Sequence, residues 1–340
     1  MAEQLLTGRS VYETYYLQTF LQGYSPSTIA WIGSIHTFAL LSAALISGPI
    51  TDRYGVMVRT HRDPSTPKSR DLLRRLLTGL RKVIIWPCSL TLVIAMMLTS
   101  LCTKFHQFLL CQGILLGVSS GLIFVSALSV VGHYFSKKRA MAMSYASTGS
   151  PIGGIIFPVI LTNLIPKVGF GWAQRVYGFL SLLLLAVAAV TIRPTRIRRK
   201  GSFVLLDAFK KPAYSFQVAA LFLIILGLWT PYFYLTEYGL AQGMSAELAS
   251  YLFAVINAGS FMGRVLAGTF AGYVGQFNVI TIACYCSSLL LFCWLAITSS
   301  AGIMALALLF GGTSGIIVAL MMSTIAYTAD HPSKVCVRHR

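Results

Sequence analysis

Charge is what this sequence has least of. Only 11% of its 340 residues are charged, and only nine are Asp or Glu. A soluble globular chain carries about 25% charged residues, so a soluble enzyme with a polar surface is excluded. Disorder needs low hydrophobicity and is excluded too, because 56% of the chain is hydrophobic and its mean hydropathy is +0.73. Paired carboxylates, a nucleophile elbow and a phosphate loop are all missing. No Cys–His spacing fits a metal. Neither enzyme chemistry nor a metal or cofactor is expected. The seven cysteines make no disulfide framework: most lie in apolar runs, and Cys284 and Cys286 point to different faces of a helix. No Asn-x-Ser/Thr sequon occurs, and the opening MAEQLLTGRS lacks the basic start and apolar core of a cleavable leader.

Basic residues are present, 27 of them, for a net charge of +18. In a soluble chain that would suggest a nucleic-acid partner. Here the charge sits in short patches between long apolar runs, so the bilayer is the expected partner and nucleic acid is not.

A helix needs about 20 apolar residues to cross a bilayer. Nine runs qualify as spans: 29–50, 83–101, 107–131, 140–165, 175–192, 215–236, 247–272, 277–298 and 301–327. Barrel strands are shorter and alternate. The expected fold is all-α, a polytopic helical membrane protein. Basic residues crowd 51–82, 133–139, 193–214 and the tail 330–340, all on one side if each span is crossed once. That side is therefore read as cytoplasmic. The basic linker 193–214 divides a front group, 1–192, from a back group, 215–329, as in a two-bundle transporter.

An internal echo supports two halves. Gly48-Pro49-Ile50-Thr51-Asp52-Arg53-Tyr54-Gly55 closes the first span, and Gly268-Thr269-Phe270-Ala271-Gly272-Tyr273-Val274-Gly275 closes the seventh. Asp52 and Arg53 sit at a helix end, and the second copy lacks both charges. Separately, Gly113, Gly117 and Gly121 form a smooth ridge for close helix approach.

The first of these strings resembles the loop motif between helices two and three of the major facilitator superfamily. The string from Tyr134 through Lys137-Lys138-Arg139 to Gly149 resembles the signature of its monocarboxylate porter family at the start of helix five. Gly153-Gly154-Ile155-Ile156-Phe157-Pro158, Pro231-Tyr232-Phe233-Tyr234 and Asn257-Ala258-Gly259-Ser260-Phe261-Met262-Gly263-Arg264 fit as well, and the mixture is similar to the fungal branch. By this resemblance the nine runs match helices two to ten of twelve. The first is missing or reduced to 9–22, and the last two are absent. The stretch 56–81 is a basic insertion, expected to be a retained intron or a gene-model fault; the alternative is an amphipathic cytoplasmic helix around 69–82.

An ionisable group inside a bilayer is costly and suggests function or a partner. Arg264, midway along its span, matches by resemblance the arginine that helps bind a substrate carboxylate; the structural alternative is an arginine on backbone carbonyls. Better-known animal members of the family place a proton-carrying Asp one turn earlier, where this chain has Ser260. His36 is a candidate proton relay in its place, or a hydrogen-bonded packing histidine. Asn257 shares the face of Arg264 and is expected to meet substrate or tie helices together. Tyr232 and Tyr234, beside Pro231, are read as cavity lining or as an interfacial aromatic belt. Asp52, Arg53, Gly55, Lys137, Lys138 and Arg139 are candidates for a cytoplasmic gate.

The resemblance implies a transporter working by alternating access, secondary active or facilitative. Its cargo would be a monocarboxylate-like anion or another small metabolite, taken up or exported, with or without proton coupling. The plasma membrane is the expected location and a vacuolar membrane the alternative. The competing reading is a truncated, non-transporting membrane protein, dependent on an accessory membrane partner.

Overall fold

The computed structural model describes residues 15–16, 19–54, 85–135, 138–191 and 209–330. All regular structure among them is helical. In chain order the helices are α1 (Pro26–Tyr54), α2 (Ile85–Thr99), α3 (Phe105–Phe108), a π-helical stretch (Leu109–Leu115), α4 (Leu116–Tyr134), α5 (Arg139–Ser147), α6 (Gly149–Thr191), α7 (Pro212–Leu228), α8 (Thr230–Ala241), α9 (Ala246–Phe270), α10 (Gln276–Trp294) and α11 (Ser300–Asp330). The insertion 56–81, most of the linker 193–214, Gly55, Lys137 and the tail from 331 lie outside the described residues.

Among the described residues seven helical runs are long and apolar enough to cross a membrane, where nine were expected. Two local effects account for the difference. The run expected at 83–101 is a 15-residue helix, Ile85–Thr99. The runs at 140–165 and 175–192 share one 50-residue helical stretch, Arg139–Ala188. Such a stretch would be about 75 Å long if straight, against ~30 Å of hydrocarbon. Gly169 breaks it, with φ 77° and ψ 163°. That combination is open almost only to glycine, so Gly169→Ala is expected to destabilise the protein by about 1–3 kcal/mol. Thermal unfolding of the purified variant in detergent measures it.

The side-chain distribution is turned outward. Phe38, Leu45, Phe216, Leu223, Tyr285 and Phe292 are exposed, while Ser47, Ser126, Ser144, Ser181 and Ser314 are fully buried. In water that arrangement would aggregate; in lipid it is the expected one, since lipid tails are as apolar as leucine.

The helices group into two compact units, one of residues 1–134 and 157–203, the other of 135–156 and 204–340. The front group expected from sequence thus contains a segment, 135–156, that packs with the second unit. Each unit is organised around a parallel helix pair laced with glycine. In the first, Gly113, Gly117 and Gly121 meet α1 at Ile32 and Ile35, at His36 and Ala39, and at Leu40 and Ala43. A Cβ at Gly117 would lie 2.7 Å from the His36 carbonyl. This is the close approach that the glycine ridge predicts. In the second, Gly259 and Gly263 of α9 press on Leu308 and Gly312 of α11, while Gly311 and Gly315 press back on Ile256 and Ser260. Close backbone contact replaces the hydrophobic driving force that lipid removes. The pairing of one long helix with the next but one recurs in both units.

Candidate functional site

In the second unit, α9 is gripped on a second side by α5 and the start of α6, which run antiparallel to it. Gly154 faces Asn257, Ser147 meets Arg264, Ser144 abuts Gly268, and the Tyr145 hydroxyl lies 3.1 Å from Thr269 Oγ1. Ser245 caps the helix by accepting from the Leu248 N–H. From that cap the helical period carries Asn257, Ser260 and Arg264 to one face, and all three are buried.

Arg264 is 4% exposed, and its Nη1 donates to the carbonyl of Ser147 at 2.5 Å. This is the backbone-carbonyl arrangement weighed above. The acceptor is the last carbonyl of α5, where a cation also meets the negative end of the helix dipole. Asn257 Nδ2 donates to the Phe253 carbonyl 2.9 Å away, one turn back. Its Oδ1 faces Gly154 so closely that a Cβ there would lie 2.6 Å from it. Asn257 is therefore packed closely against Gly154 of α6, and it sits two turns from Arg264 on the same face.

The two tyrosines part company. The Tyr232 hydroxyl lies 3.0 Å from Ser314 Oγ, and its ring packs near Phe253 and Phe310. Tyr234 is 58% exposed and does not join Tyr232. Of the gate candidates, Lys138 is exposed and Arg139 half-buried at the start of α5. Asp52 and Arg53 lie in the last turn of α1.

In the first unit His36 is buried, and its Nδ1 lies 3.0 Å from the Gln112 carbonyl. A carbonyl only accepts, so Nδ1 carries the proton. Gln112 lies in the π-helical stretch, and Tyr16 donates to its Oε1 at 2.7 Å. The histidine is thus hydrogen-bonded through Nδ1, and its Nε2 has no partner among the described residues. Arg175 donates through Nε to Ser100 Oγ at 3.2 Å and lies over the Trp172 ring, 4.9 Å from its centroid.

The partners of these side chains, namely the Ser147 carbonyl, Gly154, Ser314, Gln112 and Tyr16, were not expected from the sequence. The string Gly149-Ser150-Pro151 held the one readable signal, a helix breaker just past Ser147. Among the described residues no cluster of His, Cys, Asp and Glu has the make-up of a metal site.

Comparison with known proteins gives the chain relatives. The profile of the Major Facilitator Superfamily matches residues 7–335. The chain is 39% identical over 326 residues to the aspyridones efflux protein apdF of Emericella nidulans, covering 96% of this chain and 62% of that one. It is 35% identical over 325 residues to the agnestins efflux protein AgnL12 of Paecilomyces divaricatus, covering 94% and 69%. It is 35% identical over 331 residues to the MFS-type transporter pynF of Aspergillus niger, covering 96% and 70%. This chain therefore spans less than two thirds of the length of apdF.

Proposed function

Because the chain belongs to the Major Facilitator Superfamily, we propose that it is a transporter, secondary active or facilitative, that exports a small organic metabolite by alternating access. The observation that carries this reading is its similarity, over nearly its whole length, to proteins named for efflux of aspyridones and agnestins. The cargo is an organic anion. The monocarboxylate-porter-like string Tyr134–Gly149 supports this, as does a buried arginine on a helix whose one acid, Glu247, lies in the first turn. Arg264 holds the anion's charge, since a guanidinium matches a carboxylate with two parallel hydrogen bonds. Asn257 lies on the same face to orient it, and Tyr232, with Tyr234 further round α8, lines the path.

In the same reading the basic linker 193–214 joins the front and back groups on the cytoplasmic side. Asp52, Arg53, Gly55, Lys137, Lys138 and Arg139 form the gate there, and the membrane is the plasma membrane. His36 is the proton relay if export is proton-coupled, because position 260 is a serine.

The test is flux into liposomes holding the purified full chain, with labelled lactate and benzoate as anions, glycerol as the neutral control, and a pH gradient present or absent. Saturable, protein-dependent flux of an anion is expected, faster with the gradient if His36 relays protons. Flux no greater than in empty liposomes for both anions would reject the reading.

A further inference from the structure

The seven cysteines make no framework, yet two of them meet. Cys102 lies in the turn after α2, where its N–H donates to the Thr99 carbonyl at 3.3 Å. The connection 100–104 is short, and Gln107 fixes it: its Oε1 accepts from the N–H groups of Thr103 and Lys104, at 3.0 and 3.2 Å. The chain therefore doubles back, and α2 packs on the π-helical stretch. The Cys102 side chain turns back along α2, and its thiol donates to the Leu98 carbonyl at 3.3 Å. There its sulfur meets Cys111, in the π-helical stretch, and the two thiols are hydrogen-bonded. A carbonyl only accepts, so the Cys102 proton is committed to Leu98 and Cys111 is the donor between the sulfurs. Both pack in one apolar cluster with Phe108 and Phe170; Cys102 is 5% exposed and Cys111 is half-buried.

A disulfide needs side chains that face each other and sulfurs that can close to about 2 Å. Cys102 and Cys111 face each other. Cys284 and Cys286 do not, being two apart on α10 and so on different faces. The compartment is the second requirement, because disulfides persist at cell surfaces and are rare in the cytosol. The turn 100–104 lies at the end of α2 away from the basic segment 51–82, which puts it on the extracytoplasmic side.

We propose that Cys102 and Cys111 are a redox modification site, a dithiol that a small-molecule disulfide converts to an intramolecular disulfide tying the end of α2 to the π-helical stretch. Cys111, the less buried, gives up its proton, and its sulfur attacks one sulfur of the small disulfide. That S–S bond breaks, and the first small thiol leaves with the proton. Cys102 then attacks the Cys111 sulfur of the mixed disulfide; the Cys102–Cys111 bond forms and the second small thiol leaves with the Cys102 proton. Two protein thiols are oxidised, and one small disulfide is reduced to two thiols. Burial, and after it the neighbouring Cys111 sulfur, hold the Cys102 thiol above its ordinary range, so the first attack falls to Cys111. The bond sits next to Gln112, whose carbonyl accepts from His36, and fastens the stretch that carries that contact. The oxidising location rests on the orientation given above; the pairing of the thiols does not.

The full chain, purified in detergent, is treated with oxidised glutathione or with dithiothreitol, unfolded in SDS, alkylated with N-ethylmaleimide and mapped by peptide mass spectrometry. After oxidised glutathione, Cys102 and Cys111 are expected to lose alkylation together and to yield a peptide pair joined through them, which dithiothreitol separates. Cys286, exposed on α10, shows that the reagent is active by carrying a mixed disulfide. Cys102→Ser and Cys111→Ser should each abolish the joined peptide; if Cys102→Ser does not fold, Cys111→Ser, at the half-buried position, carries the comparison. Full alkylation of Cys102 and Cys111 while Cys286 carries glutathione would overturn the proposal, and so would glutathione left on Cys111 with no joined peptide. A chain trapped with N-ethylmaleimide as its cells are lysed is expected to carry the bond already. A chain that is reduced when trapped, yet closes in detergent, would overturn the orientation and leave the dithiol pair standing.

Discussion

Arg264→Ala is expected to lower anion flux about tenfold to a hundredfold while glycerol permeation stays at the control level. Charge-assisted hydrogen bonds are worth about 1.5–3 kcal/mol each, and the alanine variant offers the anion none. Arg264→Lys keeps the charge as a point and loses the planar fork, so it should recover part of the rate and leave a raised KM. The measurement is initial flux of benzoate in liposomes, normalised to folded protein by size-exclusion profile. That normalisation matters, because the same guanidinium donates to the Ser147 carbonyl and contributes to packing. Wild-type flux in Arg264→Ala would remove the residue from substrate handling and leave it a purely structural tie between α9 and α5.

The second large effect concerns the seam between α9 and α11. A Cβ at Gly263 would fall on the carbonyl of Gly312, and one at Gly259 on the carbonyl of Leu308. Backbone cannot swing aside as a side chain can, so the helices must separate along the whole seam. Gly263→Val is expected to destabilise the chain by at least ~3 kcal/mol, the upper end of ordinary overpacking, and to yield little monodisperse protein from membranes. Gly227→Ala is the matched control: its added Cβ meets nothing within 4 Å, and its expected Tm change is small. A monodisperse Gly263→Val protein with the Tm of Gly227→Ala would show that the two helices are not held at this distance.

What the sequence showed and what it hid divide along a physical line. Apolar runs are local, so the helices fall where length and hydropathy place them. The runs 140–165 and 175–192 lie on either side of Gly169, where the helical stretch breaks, and the gap between them was readable in hydropathy although one glycine's positive φ was not. Asn257, Ser260 and Arg264 were readable as one buried face because the period of a helix is fixed. Their partners were not, because the acceptors are main-chain carbonyls, which every residue type carries. His36 illustrates the same limit: the group it bonds lies 76 positions away and belongs to the backbone. Tyr232 and Tyr234 were paired on their nearness in sequence, yet a step of two along a helix turns a side chain by about 200°, and only the first is packed inward.

The π-helical stretch Leu109–Leu115 has a consequence for how this chain tolerates insertions and deletions. A ring closed from i to i+5 houses one residue more than an α-turn. Removing a single residue there would let the wider turn relax to α-helix at no cost in hydrogen bonds. Because the wide turn takes up the extra residue, Gly117 and Gly121 would keep nearly their direction towards α1. Removing a residue from the α-helical part beyond Leu115 would instead rotate everything downstream by about 100°, and bulkier neighbours would replace the glycines. A reading frame that lost one codon there would still encode a membrane-spanning helix, with the wrong side facing its partner, whereas the same loss within the π-turn is the one this span can absorb.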